Sequence, residues 1–174
     1  MIAGRHGIQL VMEFSLLWAV VEVLAGQVLQ RYSGYQVVWM RYFVHLLLML
    51  LLWGWRQPAM LWRTRRPIFQ LARSALMFLM PVSWLVGREL GVGAEATMGV
   101  FWLSPLLVLL FARFVLGERP SRAAWLMALV ASVGAMCIYS PRTAPLGLLL
   151  LLPLAMASSF SLYVVMTRSL RTES

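Results

Sequence analysis

Residues 101–120 read FWLSPLLVLLFARFVLGERP, from Phe101 to Pro120. Only Ser104 and Arg113 interrupt the apolar and aromatic run before Gly117. Such a run is hydrophobic on every face rather than along one stripe, which suits lipid or a very large core. Pro105 lies inside it, and Gly117-Glu118-Arg119-Pro120 closes it as a charged elbow. Runs of the same kind fill the rest of the chain.

Composition extends that reading to the whole sequence. Of 174 residues, 61% are hydrophobic and 12% charged, against ~25% charged in soluble domains. The fold class is an all-α integral membrane protein. Its 15 basic residues are all arginine and its six acids all glutamate. The net charge of +9 does not point to nucleic acid, because the arginines flank apolar runs instead of forming a water-exposed patch. One cysteine, Cys137, excludes an intrachain disulfide and a multi-cysteine metal site. Glu13 interrupts the first apolar run, and no small-x-small site precedes Ala25, so no cleavable signal peptide is read.

About six transmembrane helices are expected, each near the ~20 residues needed to cross the hydrocarbon core. They run over 8–29, 37–55, 68–86, 94–116, 123–139 and 146–166. Pro67 suits the first turn of the third. With a cytoplasmic N terminus, the inner side receives Arg5, Arg56, Arg63, Arg65, Arg66, Arg113, Arg119, Arg122, Arg168 and Arg171. The outer side receives Arg31, Arg88 and Arg142. This asymmetry alternates over all six spans, so both termini are expected in the cytoplasm of a bacterial inner-membrane protein. Trp53, Trp55 and Trp62 read as an interfacial belt.

Charges within spans need a reason, since each costs ~2.5–3.5 kcal/mol on insertion scales. Glu22 is placed ~12 Å from the outer end of the first span and Arg41 ~9 Å into the second. His45 follows Arg41 at i+4 on the same face. Two readings stand. Glu22, Arg41 and His45 line a wet cavity that binds a polar solute or a proton, or they form a structural ion pair pinning two helices. Trp18, Trp84 and Trp102 also lie within spans and can stack on a solute or fill lipid-facing space. Glu13, Arg73 and Arg113 lie near span ends and are read as interfacial. Pro81, Pro105 and Pro153 are expected to kink their helices. Ala124, Ala128 and Ser132 form a small-residue ridge for close packing. No catalytic, phosphate-binding or metal motif appears, so neither an enzyme nor a cofactor is expected.

The proline-containing fourth span and its Gly117-Glu118-Arg119-Pro120 elbow resemble the EamA branch of the drug/metabolite transporter superfamily. Pro105, Gly134, Trp18 and Arg41 add to the likeness; Ala128 departs from it, where the family often has glycine. The resemblance implies two five-helix repeats of inverted topology around a central cavity. Residues 1–140 are expected to form the first repeat, and 141–174 the first helix of a truncated second. Setting Trp18–Arg31 against Ser158–Arg171 pairs Arg31 with Arg171, each just past its helix. Implied with the resemblance is a permease moving a small amino acid-like or amphipathic metabolite by alternating access, with proton coupling as an option. The first, third and fourth helices, with Arg41 from the second, would line its cavity. Besides the bilayer, the expected partner is a second copy or a complementary half-transporter chain. Glu118 is expected to cap the elbow or pair with Arg119 or Arg122. The alternative function is a non-transporting membrane scaffold or an inactive remnant.

Overall fold

The computed structural model describes residues 2–54, 64, 66–138 and 147–170, with backbone alone at 2–8, 11 and 138. The side chains of Arg5, Arg56, Arg63, Arg65, Arg142, Arg171, Trp55 and Trp62, and the end of the fifth span at Tyr139, lie outside the described residues. Every regular element among those described is helical. Contacts gather into two compact units, Met1–Arg63 and Thr64–Ser174.

The first unit holds α1 (Ile2–Val28) and α2 (Gly34–Met49). Ser33 begins α2 because it completes a capping box. Its hydroxyl accepts the Gln36 N–H, while the Gln36 side-chain oxygen accepts the Ser33 N–H, so two orphan donors are satisfied. A π-helical turn, Leu50–Gly54, extends α2. No residue of α2 is buried, and most of its large apolar side chains are exposed along with most of those of α1. Such exposure fits a bilayer, where lipid tails are as apolar as leucine and burial in protein brings little extra.

The second unit holds α3 (Pro67–Glu89), α4 (Ala94–Phe101), α5 (Ser104–Val115), α6 (Arg122–Ile138) and α7 (Leu151–Leu170). Pro67 occupies the first turn of α3, where its missing N–H costs nothing. A 3₁₀ turn, Leu148–Leu150, leads into α7. The α7 helix packs against α3, α4 and α5, and α6 packs against α4 and α5. The reason lies in one stripe of α7: Pro153, Ala157, Ser161 and Val165, four residues apart and all buried. Small side chains on one helical face let neighbouring backbones approach closely. In the fifth span, Ala128 and Ser132 of the expected ridge are buried.

Four stretches among the described residues are long and apolar enough to cross a membrane: Gly34–Gly54, Pro67–Glu89, Ala94–Val115 and Leu148–Leu170. Arg122–Cys137 is a shorter apolar helix, and α1 is 27 residues long. The three in-span prolines behave differently from one another. Pro81 lies inside an unbroken α3, and Pro153 falls in the first turn of α7. Only Pro105 stands at a break, where α4 gives way to α5 across Trp102 and Leu103.

Candidate functional site

In the first unit, the guanidinium of Arg41 stands 5.7 Å from the centroid of the Trp18 ring. That is within reach of the ring quadrupole. Phe14, one turn earlier on α1, lies 5.8 Å from Trp18, centroid to centroid. Glu22 follows Trp18 at i+4 and His45 follows Arg41 at i+4. Glu22, Arg41 and His45 are all exposed, and among the described residues no ion pair joins Glu22 to Arg41. The two helices thus meet through a cation and a ring, with the carboxylate one turn beyond the ring.

In the second unit, the centre is the break in the fourth span. Proline lacks an N–H, so Pro105 cannot serve the Phe101 carbonyl. The Ser104 hydroxyl donates to that carbonyl instead. The Leu106 N–H turns to Leu103 O at 3.0 Å, in a 3₁₀ pattern, and no longer serves Trp102 O. Trp102 O accepts from the Ser132 hydroxyl of α6 at 2.9 Å. The Ser161 hydroxyl of α7 lies 3.2 Å from Ser104 O and 2.7 Å from its own Ala157 O. All three serines are buried: Ser104 and Ser132 serve the two carbonyls released by the break, Phe101 O and Trp102 O, while Ser161 adds a donor to Ser104 O in the first turn of α5. Trp102 itself is 40% exposed. Trp84 is half-buried and lies under the Arg88 guanidinium, 5.7 Å away.

The elbow after α5 corrects one expectation. Glu118 pairs with Arg168 in the last turn of α7 at 3.1 Å, not with Arg119 or Arg122. Gly117 supplies the backbone reason: its φ of +67° is a conformation that other residues rarely adopt. It turns the chain so that the Glu118 N–H reaches back to Ala112 O at 3.3 Å. The start of α6 is capped by Ser121, whose hydroxyl accepts the Ala124 N–H at 3.1 Å. Arg119 is exposed and Pro120 half-buried.

Arg73, read as interfacial from its place near a span end, ties α3 to α7. Its guanidinium stands 5.4 Å from the Tyr163 ring centroid, and Nη1 donates to Thr167 Oγ1 at 3.3 Å. Sequence reasoning misses this tie, as it misses the Glu118–Arg168 pair and the serines at the break. Apart from the Ser104 bond within its own turn, each joins residues far apart along the chain, and no spacing rule reports such contacts.

Long apolar helices with charged ends, and one span broken at a proline whose carbonyls are served by buried hydroxyls, define a multi-pass helical membrane protein. Residues 5–140 match the EamA-like transporter family, and the chain belongs to it. Protein RarD from Salmonella typhi and its counterpart from Salmonella typhimurium (strain LT2) are each 28% identical over 181 residues. Those alignments cover 97% of this chain but 57% of each relative, so the chain spans little more than half their length. No solved structure matches the chain.

Proposed function

We propose that the chain is part of a permease that moves a small metabolite, amino acid-like or amphipathic, across the cytoplasmic membrane by alternating access. Membership of the EamA-like transporter family supports transport as the class. The observation that carries the solute reading is the Arg41–Trp18 pair. A cation held over a ring offers a carboxylate a charge partner and an amphipathic body a stacking face. Glu22, one turn further along α1 and exposed, offers an ammonium group the opposite charge. Glu22, Arg41, His45 and Trp18 form the proposed contact set of the first unit, and Trp84 and Trp102 that of the second. In this reading residues 1–140 are one five-helix repeat and 141–174 the first helix of the next. Both termini lie in the cytoplasm, and a second copy or a complementary chain is the partner.

Binding is testable before the solute is known. The chain in lipid nanodiscs is heated with a panel of aliphatic and aromatic amino acids. A ligand at 100 times its dissociation constant stabilises the folded state by about 2.7 kcal/mol, enough to raise the melting temperature by a few degrees. At least one panel member is expected to do so, and Arg41→Ala is expected to remove the shift while leaving the unliganded melt in place. A flat panel, or a shift indifferent to Arg41, would count against the contact set.

A further inference from the structure

The fourth span is the one place in the second unit, among the described residues, where α-helical bonding is interrupted between two α-helical segments of a single apolar span. Three features meet there. Trp102 O has lost its i+4 donor, because Leu106 N–H bonds to Leu103 O at 3.0 Å. Ser132, from a helix 30 residues further on, supplies the replacement at 2.9 Å and is 1% exposed. Ser161, 0% exposed, has one proton and two acceptors, Ala157 O at 2.7 Å and Ser104 O at 3.2 Å.

We propose that Ser132 is the positioning residue of a hinge in the fourth span: its hydroxyl holds the break between α4 and α5 in the bent arrangement, and Ser161 braces the first turn of α5 beyond it through Ser104 O. The chemistry allows two arrangements. A helical serine can turn its hydroxyl to the carbonyl four residues back on its own helix, here Ala128 for Ser132 and Ala157 for Ser161. Rotation of a hydroxyl therefore engages or releases the Trp102 and Ser104 carbonyls without leaving a serine unsatisfied. When the Trp102 carbonyl is released it is left without a donor, because Pro105 keeps the turn bent and Leu106 N–H stays on Leu103 O, so the break loosens and the span flexes there. The hinge rests on the transport reading only for the use made of the bend.

Ser132 also belongs to the small-residue ridge, and the two roles separate cleanly. Close packing predicts that alanine and cysteine serve as well as serine at 132. A hinge clasp predicts that they do not, since alanine donates nothing and a thiol donates weakly.

The test is hydrogen exchange with mass spectrometry on the chain in nanodiscs, reading peptides across residues 98–110. Ser132→Ala is expected to raise exchange there about two- to tenfold, the range for one net hydrogen bond. Ser132→Cys falls between, and peptides of α3 stay unchanged. Ser161→Ala is expected to leave exchange near the native level while Ser132 is present and to add to Ser132→Ala. Pro105→Ala, which restores the donor for Phe101 O, is expected to suppress the effect of Ser132→Ala. Unchanged exchange in folded Ser132→Ala, or a rise that Pro105→Ala leaves intact, would overturn the hinge. If Ser132→Ala does not fold, Ser132→Cys carries the same comparison. Absence of solute uptake by the native chain would remove the transport reading and leave the exchange result standing.

Discussion

A guanidinium in hydrocarbon costs about 2.5–3.5 kcal/mol on insertion scales, and the face of an aromatic ring returns about 0.5–2 kcal/mol of it. Arg41 over Trp18 therefore recovers part of the cost and leaves the cation able to take an anion. Glu22 is the complementary case, an exposed carboxylate with no ion-pair partner among the described residues. In the proposed contact set it faces the ammonium group of the solute. Glu22→Gln is then expected to lower uptake of an amino acid severalfold while leaving uptake of the matching carboxylic acid without an amine nearly unchanged, as measured in vesicles. Equal effects on the two solutes would remove Glu22 from the contact set. The Glu118–Arg168 pair is of another kind. Its side chains are 35% and 62% exposed, so solvent screens it and its contribution stays below about 1 kcal/mol. Glu118→Gln is expected to lower the melting temperature slightly, with the difference vanishing in molar salt. A large, salt-independent loss would mean that Glu118 does more than tie the elbow to α7.

At the scale of elements, α7 organises the second unit. Ala157 is fully buried on the helix that packs against α3, α4 and α5. Replacing it with leucine inserts three carbons into a close helix contact, with an expected cost of about 1–3 kcal/mol in thermal unfolding. The control is Leu126→Ala on α6, where the side chain is 61% exposed; that change is expected to be near neutral. An unaffected Ala157→Leu melt would refute the packing account. The spans are legible in the sequence because an apolar run of span length has few other uses. The break in the fourth span is half legible. Pro105 announces a missing N–H, but nothing in the pattern announces that Ser132 serves the freed Trp102 carbonyl or that Ser161 reaches Ser104 O. Those contacts link positions 30 and 57 residues apart. The partner of Arg41 differs from expectation by one helical turn. Depth counting puts Glu22 and Arg41 at similar levels, whereas the ring of Trp18 takes the contact.

At the scale of the whole molecule, the chain belongs to the EamA-like transporter family over residues 5–140 and covers 57% of its RarD relatives. Family membership is legible in the fourth span and its elbow because that stretch joins a backbone requirement, positive φ at Gly117, to a proline inside a span. The candidate site is less legible, because its defining contacts are tertiary. One proposal is central: that these helices carry a solute across a bilayer with Arg41 in contact with it. The direct measurement is uptake of a radiolabelled amino acid, drawn from the nanodisc panel, into liposomes reconstituted with the native chain or with Arg41→Ala. Uptake well above that of protein-free vesicles is expected for the native chain. A fall of about tenfold or more, equivalent to about 1.4 kcal/mol, is expected in the folded variant. Native uptake no greater than that of protein-free vesicles, or equal uptake by the two proteins, would contradict the claim.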